Sequence, residues 1–117
     1  MADLYSDTWI TCTEDAIVVR WYYLWGTKRI PYSAIKGARL VTLSPVRGRG
    51  RIWGTANPQF WASLDPKRPS KRAAIIIDTG GAIQAYLTPD DPEAVAAIVK
   101  DRAGLADVPM TGPGPFL

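Results

Sequence analysis

One strand constrains this chain more than any other segment. Residues 16–25 include Ile17, Val18, Val19, Trp21, Tyr22, Tyr23 and Leu24, the β-branched and aromatic types that favour extended backbone. Strand alternation puts Ile17, Val19, Trp21, Tyr23 and Trp25 on one face and Val18, Arg20, Tyr22 and Leu24 on the other. A strand with one face in water alternates apolar with polar, yet here only Arg20 interrupts the second face. One face is expected to enter a core, and something must cover the other. The segment 57–72 could do so within one chain, with Phe60 or Trp61 over Tyr22. A neighbouring subunit could do so instead, and the subunit is the expectation.

The remaining elements read as a mainly β chain. Residues 9–13 form a strand, and Glu14-Asp15 a turn. Residues 28–32 and 35–43 form two more strands, with Pro31 at the edge or end of the first. Residues 51–56 contribute a short strand around Ile52 and Trp53. Residues 73–78 are a strand, Thr79-Gly80-Gly81 a hairpin turn, and 82–87 the return.

Then the hydrophobic period changes from two to three or four. Val95, Ile98 and Val99 recur at helical spacing. Asp91 can cap that helix, with Pro92 at its first position and Glu93 at the positive end of the dipole. Lys100 and Arg102 suit the other end, and Gly104 supplies a left-handed stop. The expected helix covers 92–103. Pro109, Pro113 and Pro115 then point to a loose tail.

The chain of 117 residues holds one domain's worth of sequence. The expected class is α+β, mainly β: a bent seven-stranded antiparallel sandwich or partly open barrel, capped by one C-terminal amphipathic helix. The domain spans 5–104, with a long basic excursion at 44–72 and a Pro/Gly-rich tail at 105–117.

Charge is segregated along the sequence. Residues 28–72 hold eleven basic side chains and one acid, Asp65, for a formal charge of +10, whereas residues 1–27 carry −3 and residues 73–117 carry −4. Such polarity can attract anions to one face, or dock the basic part of one molecule on the acidic part of another; alternatively, the signs interleave in space and serve solubility.

Several chemistries are excluded by residue type. There is no histidine and a single cysteine, Cys12. A histidine base, histidine metal ligands, an intrachain disulfide and a thiolate cluster are therefore ruled out. Cys12 has no histidine to make it a thiolate and reads as a small core residue. Asp90, Asp91 and Glu93 could form a carboxylate cluster, but helix capping accounts for all three. Gly48, Gly50 and Gly54 are spaced one residue too long for a dinucleotide fingerprint. No cofactor and no metal are expected, and no site pairs a nucleophile with a base, so the chain reads as a non-enzyme. Residues 1–7 are acidic and lack a signal-like apolar run, and no apolar stretch nears the ~20 residues of a membrane span. A cytoplasmic location is the expectation.

Two groups of side chains stand out as candidate sites. Arg47, Arg49, Arg51, Lys67, Arg68, Lys71 and Arg72 could grip phosphates of a nucleic acid or acidic lipid headgroups if they meet in space. Trp53, Phe60 and Trp61 lie between those clusters. They could stack on bases, insert at a membrane interface or anchor a protein partner, but a minicore beneath the excursion is the expectation. With Val18, Tyr22 and Leu24 they make up the candidate interface.

Residues 10–19, the segment from Arg29 through Pro31 to Ile35, and the closing helix together resemble the pleckstrin-homology-like domains of bacteria. The resemblance implies a seven-stranded, partly open sandwich capped by the helix. It also implies a scaffold for binding or assembly, often oligomeric, rather than an enzyme. Membrane-binding members of that superfamily hold inositol phosphates with basic residues in the first turn. Here that turn is Thr13-Glu14-Asp15, which is acidic, so that site does not carry over.

Overall fold

The computed structural model describes residues 3–23, 26–42, 60–62, 73–81 and 84–113; for 21–23, 60–62 and 112–113 it describes the backbone. Four antiparallel strands form the first sheet in chain order: β1 (Tyr5–Ser6), β2 (Ile10–Cys12), β3 (Ala16–Tyr23) and β4 (Gly26–Pro31). Short polar side chains make its turns. The Asp7 carboxylate accepts the N–H groups of Trp9 (3.0 Å) and Ile10 (2.9 Å) between β1 and β2. Thr13 Oγ1 accepts the N–H groups of Asp15 (3.3 Å) and Ala16 (3.1 Å) between β2 and β3. Such local bonds occupy backbone donors where the ladder cannot.

A 3-10 turn at Tyr32–Ala34 leads to the second sheet. Its strands are β5 (Gly37–Thr42), β6 (Phe60–Ala62), β7 (Ala73–Asp78), β8 (Gln84–Leu87) and β9 (Met110–Pro113), in the order β6-β8-β7-β5-β9. The β5–β7 pair is antiparallel and in register from Gly37 opposite Asp78 to Thr42 opposite Ala73. At the β7–β8 turn, Gly80 adopts a φ of 84° and donates its N–H to Asp78 Oδ1 at 2.7 Å. Only glycine takes that backbone conformation without strain.

The helix α1 covers Pro92–Arg102. Asp91 Oδ1 accepts the Ala94 N–H at 3.1 Å, as an N-cap should. At the other end Gly104 adopts a φ of 68°, and the Leu105 N–H reaches the Lys100 carbonyl at 3.0 Å. That left-handed residue satisfies a carbonyl the helix would leave open.

One apolar cluster joins both sheets and the helix. Ile10, Ile17, Val19 and Ile30 enter it from the first sheet. The second sheet contributes Leu40, Ile75, Ile77 and Leu87, and α1 contributes Val95, Ala96 and Val99. Full burial of each such aliphatic side chain contributes about 1.5–3 kcal/mol. Cys12 is buried in the same cluster.

Strand β3 alternates as its sequence requires over the residues whose side chains are described. Ile17 and Val19 are fully buried, Val18 is half-buried and Arg20 is exposed. The mainly β class with one helix near the C-terminus holds, and the finer expectations are revised. Nine strands are present among the described residues, in two sheets that share a core, where seven were expected, and the sheets do not form a closed barrel. The sheets are not antiparallel throughout, because β6 pairs with β8 and β9 with β5 in parallel. Parallel pairing needs a long connection, and both the excursion and the helix supply one. The segment expected as a loose tail carries β9, with Leu105 and Val108 packed on the core. Ile98, expected in the buried stripe of α1, is half-buried; the third buried position is Ala96. The strand expected at 51–56 lies outside the described residues.

Candidate interaction face and sheet-surface cleft

Of the candidate interface residues, Val18 alone has a described side chain. It sits in β3 between Thr11 of β2 and Arg29 of β4. Exposed Arg20 follows two residues on and donates from Nη1 to the Thr8 carbonyl at 3.2 Å. The outer face of the first sheet thus carries a half-buried valine between two exposed arginines, Arg20 and Arg29. Tyr22 continues β3 in its backbone. Phe60 and Trp61 pair through their backbones with Gln84 and Ala85. Leu24, Trp53, Arg47, Arg49, Arg51, Lys67, Arg68, Lys71 and Arg72 lie outside the described residues.

The described strands do fix where the basic excursion starts and stops. It leaves after Thr42 and re-enters at Ala73, and those two residues face each other at one end of the β5–β7 pair. Its strand β6 lies at the far edge, on β8.

The outer face of the second sheet, opposite the main core, carries features the sequence reading did not single out. Val41, Ala74, Ile76 and Tyr86 form a second buried cluster there. Strand β7 therefore feeds apolar side chains into both faces: Ile75 and Ile77 into one cluster, Ala74 and Ile76 into the other. The signal in the sequence was the unbroken apolar run from Ala73 to Ile77, the pattern of a strand covered on both faces.

Next to that cluster lies a cleft of about 230 Å³ lined by Gly37, Ala38, Arg39, Ile76, Asp78 and Gln84. Arg39 lies directly opposite Ile76 in the β5–β7 register. It is half-buried, and among the described residues it has neither an ion pair nor a hydrogen bond from its side chain. Asp78 uses Oδ1 to accept the Gly80 N–H. Among the described residues, nothing lies within 4 Å of a Cβ placed on Gly37.

A polar knot ties the first hairpin to the helix. Tyr5 Oη donates to Asp7 Oδ2 at 2.6 Å and accepts the Asp91 N–H at 3.0 Å. Asp7 Oδ2 also accepts the Asp90 N–H at 2.9 Å. Burial alone would raise the Asp7 carboxyl, but the bonds from Tyr5, Asp90, Trp9 and Ile10 outweigh it and hold the group below the ordinary aspartate value. Burial first, and the bond to Asp7 second, push the Tyr5 phenol well above its ordinary value. Asp90 and Asp91, weighed in the sequence as part of a carboxylate cluster, thus lend backbone N–H groups to this knot while Asp91 caps the helix.

The thiol of Cys12 is pushed up to about 11, mainly by burial. A thiol so placed is protonated near neutral pH and is a poor nucleophile. No described helix is long and apolar enough to cross a membrane.

Comparison with known proteins adds no relative. The chain matches no protein-family model, no curated protein and no solved structure.

Proposed function

We propose that this chain is a non-enzymatic interaction module of pleckstrin-homology-like fold, working in the cytoplasm and assembling with itself or docking on a protein partner. The observation that carries the reading is the outer face of the first sheet. There Val18 of β3 lies between exposed Arg20 and Arg29, and the sequence stays apolar at Tyr22 and Leu24. Exposed acids include Asp90, Asp91 and Glu93 around the start of α1, besides Glu14 and Asp15 in the β2–β3 turn. A basic rim around an apolar strip on one copy complements an acidic helix end on another, and such complementarity steers association while apolar contact holds it. The buried, protonated Cys12 supports the non-enzymatic part of the reading. The mainly β architecture with one helix after β8 supports the fold assignment.

The alternative is an anion-binding module that holds nucleic acid or acidic lipid through residues 47–72. Its support is the β5–β7 register, which brings the two ends of the basic excursion together at Thr42 and Ala73. Salt separates the two readings. Binding through several phosphate contacts falls steeply as salt rises, whereas an interface held by apolar contact persists.

The test reverses the rim charge. Arg20→Glu with Arg29→Glu should slow self-association while leaving the fold intact, because both side chains are exposed. Unchanged association in the double variant, together with salt-sensitive binding of an oligonucleotide by the wild type, would transfer the assignment to the anion-binding module.

A further inference from the structure

We propose that the cleft on the outer face of the second sheet binds a small carboxylate that also carries an N–H donor. That chemistry is shared by a free amino acid and by the C-terminal residue of a peptide. The site is distinct from the assembly face on the first sheet and does not depend on it.

Arg39 is the central observation. A half-buried guanidinium with no partner among the described residues is held partly out of water without compensation. Its planar fork of donors matches the two oxygens of a carboxylate. It is placed on a rigid element: β5 is flanked by β7 and β9, and Arg39 sits mid-strand opposite Ile76.

The neighbours restrict the ligand further. Asp78 lies opposite Gly37 on the same face, and the β7–β8 register sets Gln84 beside it. Asp78 would repel a bare anion, so a ligand whose carboxylate meets Arg39 must offer Asp78 or Gln84 a donor. An α-ammonium or an amide N–H, one carbon away from the carboxylate, meets that demand. Ile76, almost fully buried, closes the cleft from below, and no described atom lies within 4 Å of a Cβ placed on Gly37. The cleft volume of about 230 Å³ is below the ~300 Å³ at which pockets for drug-sized molecules begin, and suits a fragment of this kind.

The experiment is a titration of the full chain followed by backbone amide NMR. N-acetylglycine stands for a peptide terminus, glycine for a free amino acid, and acetate and inorganic phosphate for anions without the amine or amide donor. The expected result is saturable shifts centred on Gly37, Arg39, Asp78 and Gln84 with N-acetylglycine or glycine, at a Kd on the order of a millimolar. Whichever of the two binds more tightly identifies the source. Acetate and phosphate should bind about tenfold more weakly.

Arg39→Gln should abolish the shifts. Gln84→Leu, which keeps the arginine, should weaken N-acetylglycine but not acetate. The spectrum away from the cleft reports whether each variant is folded. Absence of shifts with both glycine compounds overturns the proposal. So do shifts that survive in folded Arg39→Gln, and so does phosphate or acetate binding as tightly as N-acetylglycine.

Discussion

The carboxylate of Asp7 accepts the backbone N–H of Asp90 at 2.9 Å, across 83 residues of sequence. The same carboxylate takes the N–H groups of Trp9 and Ile10 and the hydroxyl of Tyr5, and Tyr5 in turn takes the N–H of Asp91. The first hairpin and the N-terminus of α1 are therefore held by two side chains, Asp7 and Tyr5, at their meeting point. The helix start gains a negative charge near its positive end as well as the hydrogen bonds.

Asp7→Ala should destabilise the protein by about 1–3 kcal/mol, because it leaves several N–H groups without their acceptor. Asp7→Asn should recover part of that loss. The carboxyl lies below its ordinary value in the folded state. Its contribution is thus present above the unfolded aspartate value, about 4, and is lost as pH falls through the lower folded value. Denaturant unfolding of wild type and Asp7→Asn at pH 7 and pH 3 checks this. The difference at pH 7 should shrink at pH 3.

Cys12 should resist thiol–disulfide exchange in the folded protein. Burial raises its thiol to about 11, so the protonated form is favoured on folding. That preference stabilises the fold below the unfolded thiol value of about 8.5 and is lost as pH rises toward 11. At pH 8 an aromatic disulfide reagent should react only as fast as the chain opens, and the rate should climb with added urea. Rapid reaction without denaturant would contradict the burial.

Val95→Ala should cost about 2 kcal/mol, since it empties space at a fully buried position between helix and sheet. Ile98→Ala removes more side chain but should cost less, about 1 kcal/mol, because Ile98 is only partly buried. The unfolding midpoints of the two variants should fall in that order, and the reverse order would contradict the orientation of α1.

Local signals made part of this fold readable from sequence. Asp91, Pro92 and Gly104 each act within a turn or two of their own position, and they bounded α1 to within a residue. The apolar run of β7 likewise declared a strand whose limits, Ala73–Asp78, match the expectation. What stayed hidden depends on distant partners. β9 contains Gly112 and Pro113, residues that disfavour a strand, and it forms because β5 offers it an edge. Asp7 looked like one acid among eleven, and its partners are mostly backbone N–H groups, which no side-chain pattern marks. Arg39 looked like one charge in a basic segment until the β5–β7 register placed it across from Ile76 beside Asp78. The segregation of charge was plain, but the excursion's arginines and lysines fall outside the described residues.

Self-association is tested most directly by measuring the mass in solution by sedimentation equilibrium, at low and high salt. The wild type should exceed the 12.8 kDa of a single chain in both conditions. The double variant Tyr22→Glu with Leu24→Lys should stay folded and fall to the mass of one chain. A wild type that remains at 12.8 kDa at every concentration and salt level would contradict assembly through the outer face of β3.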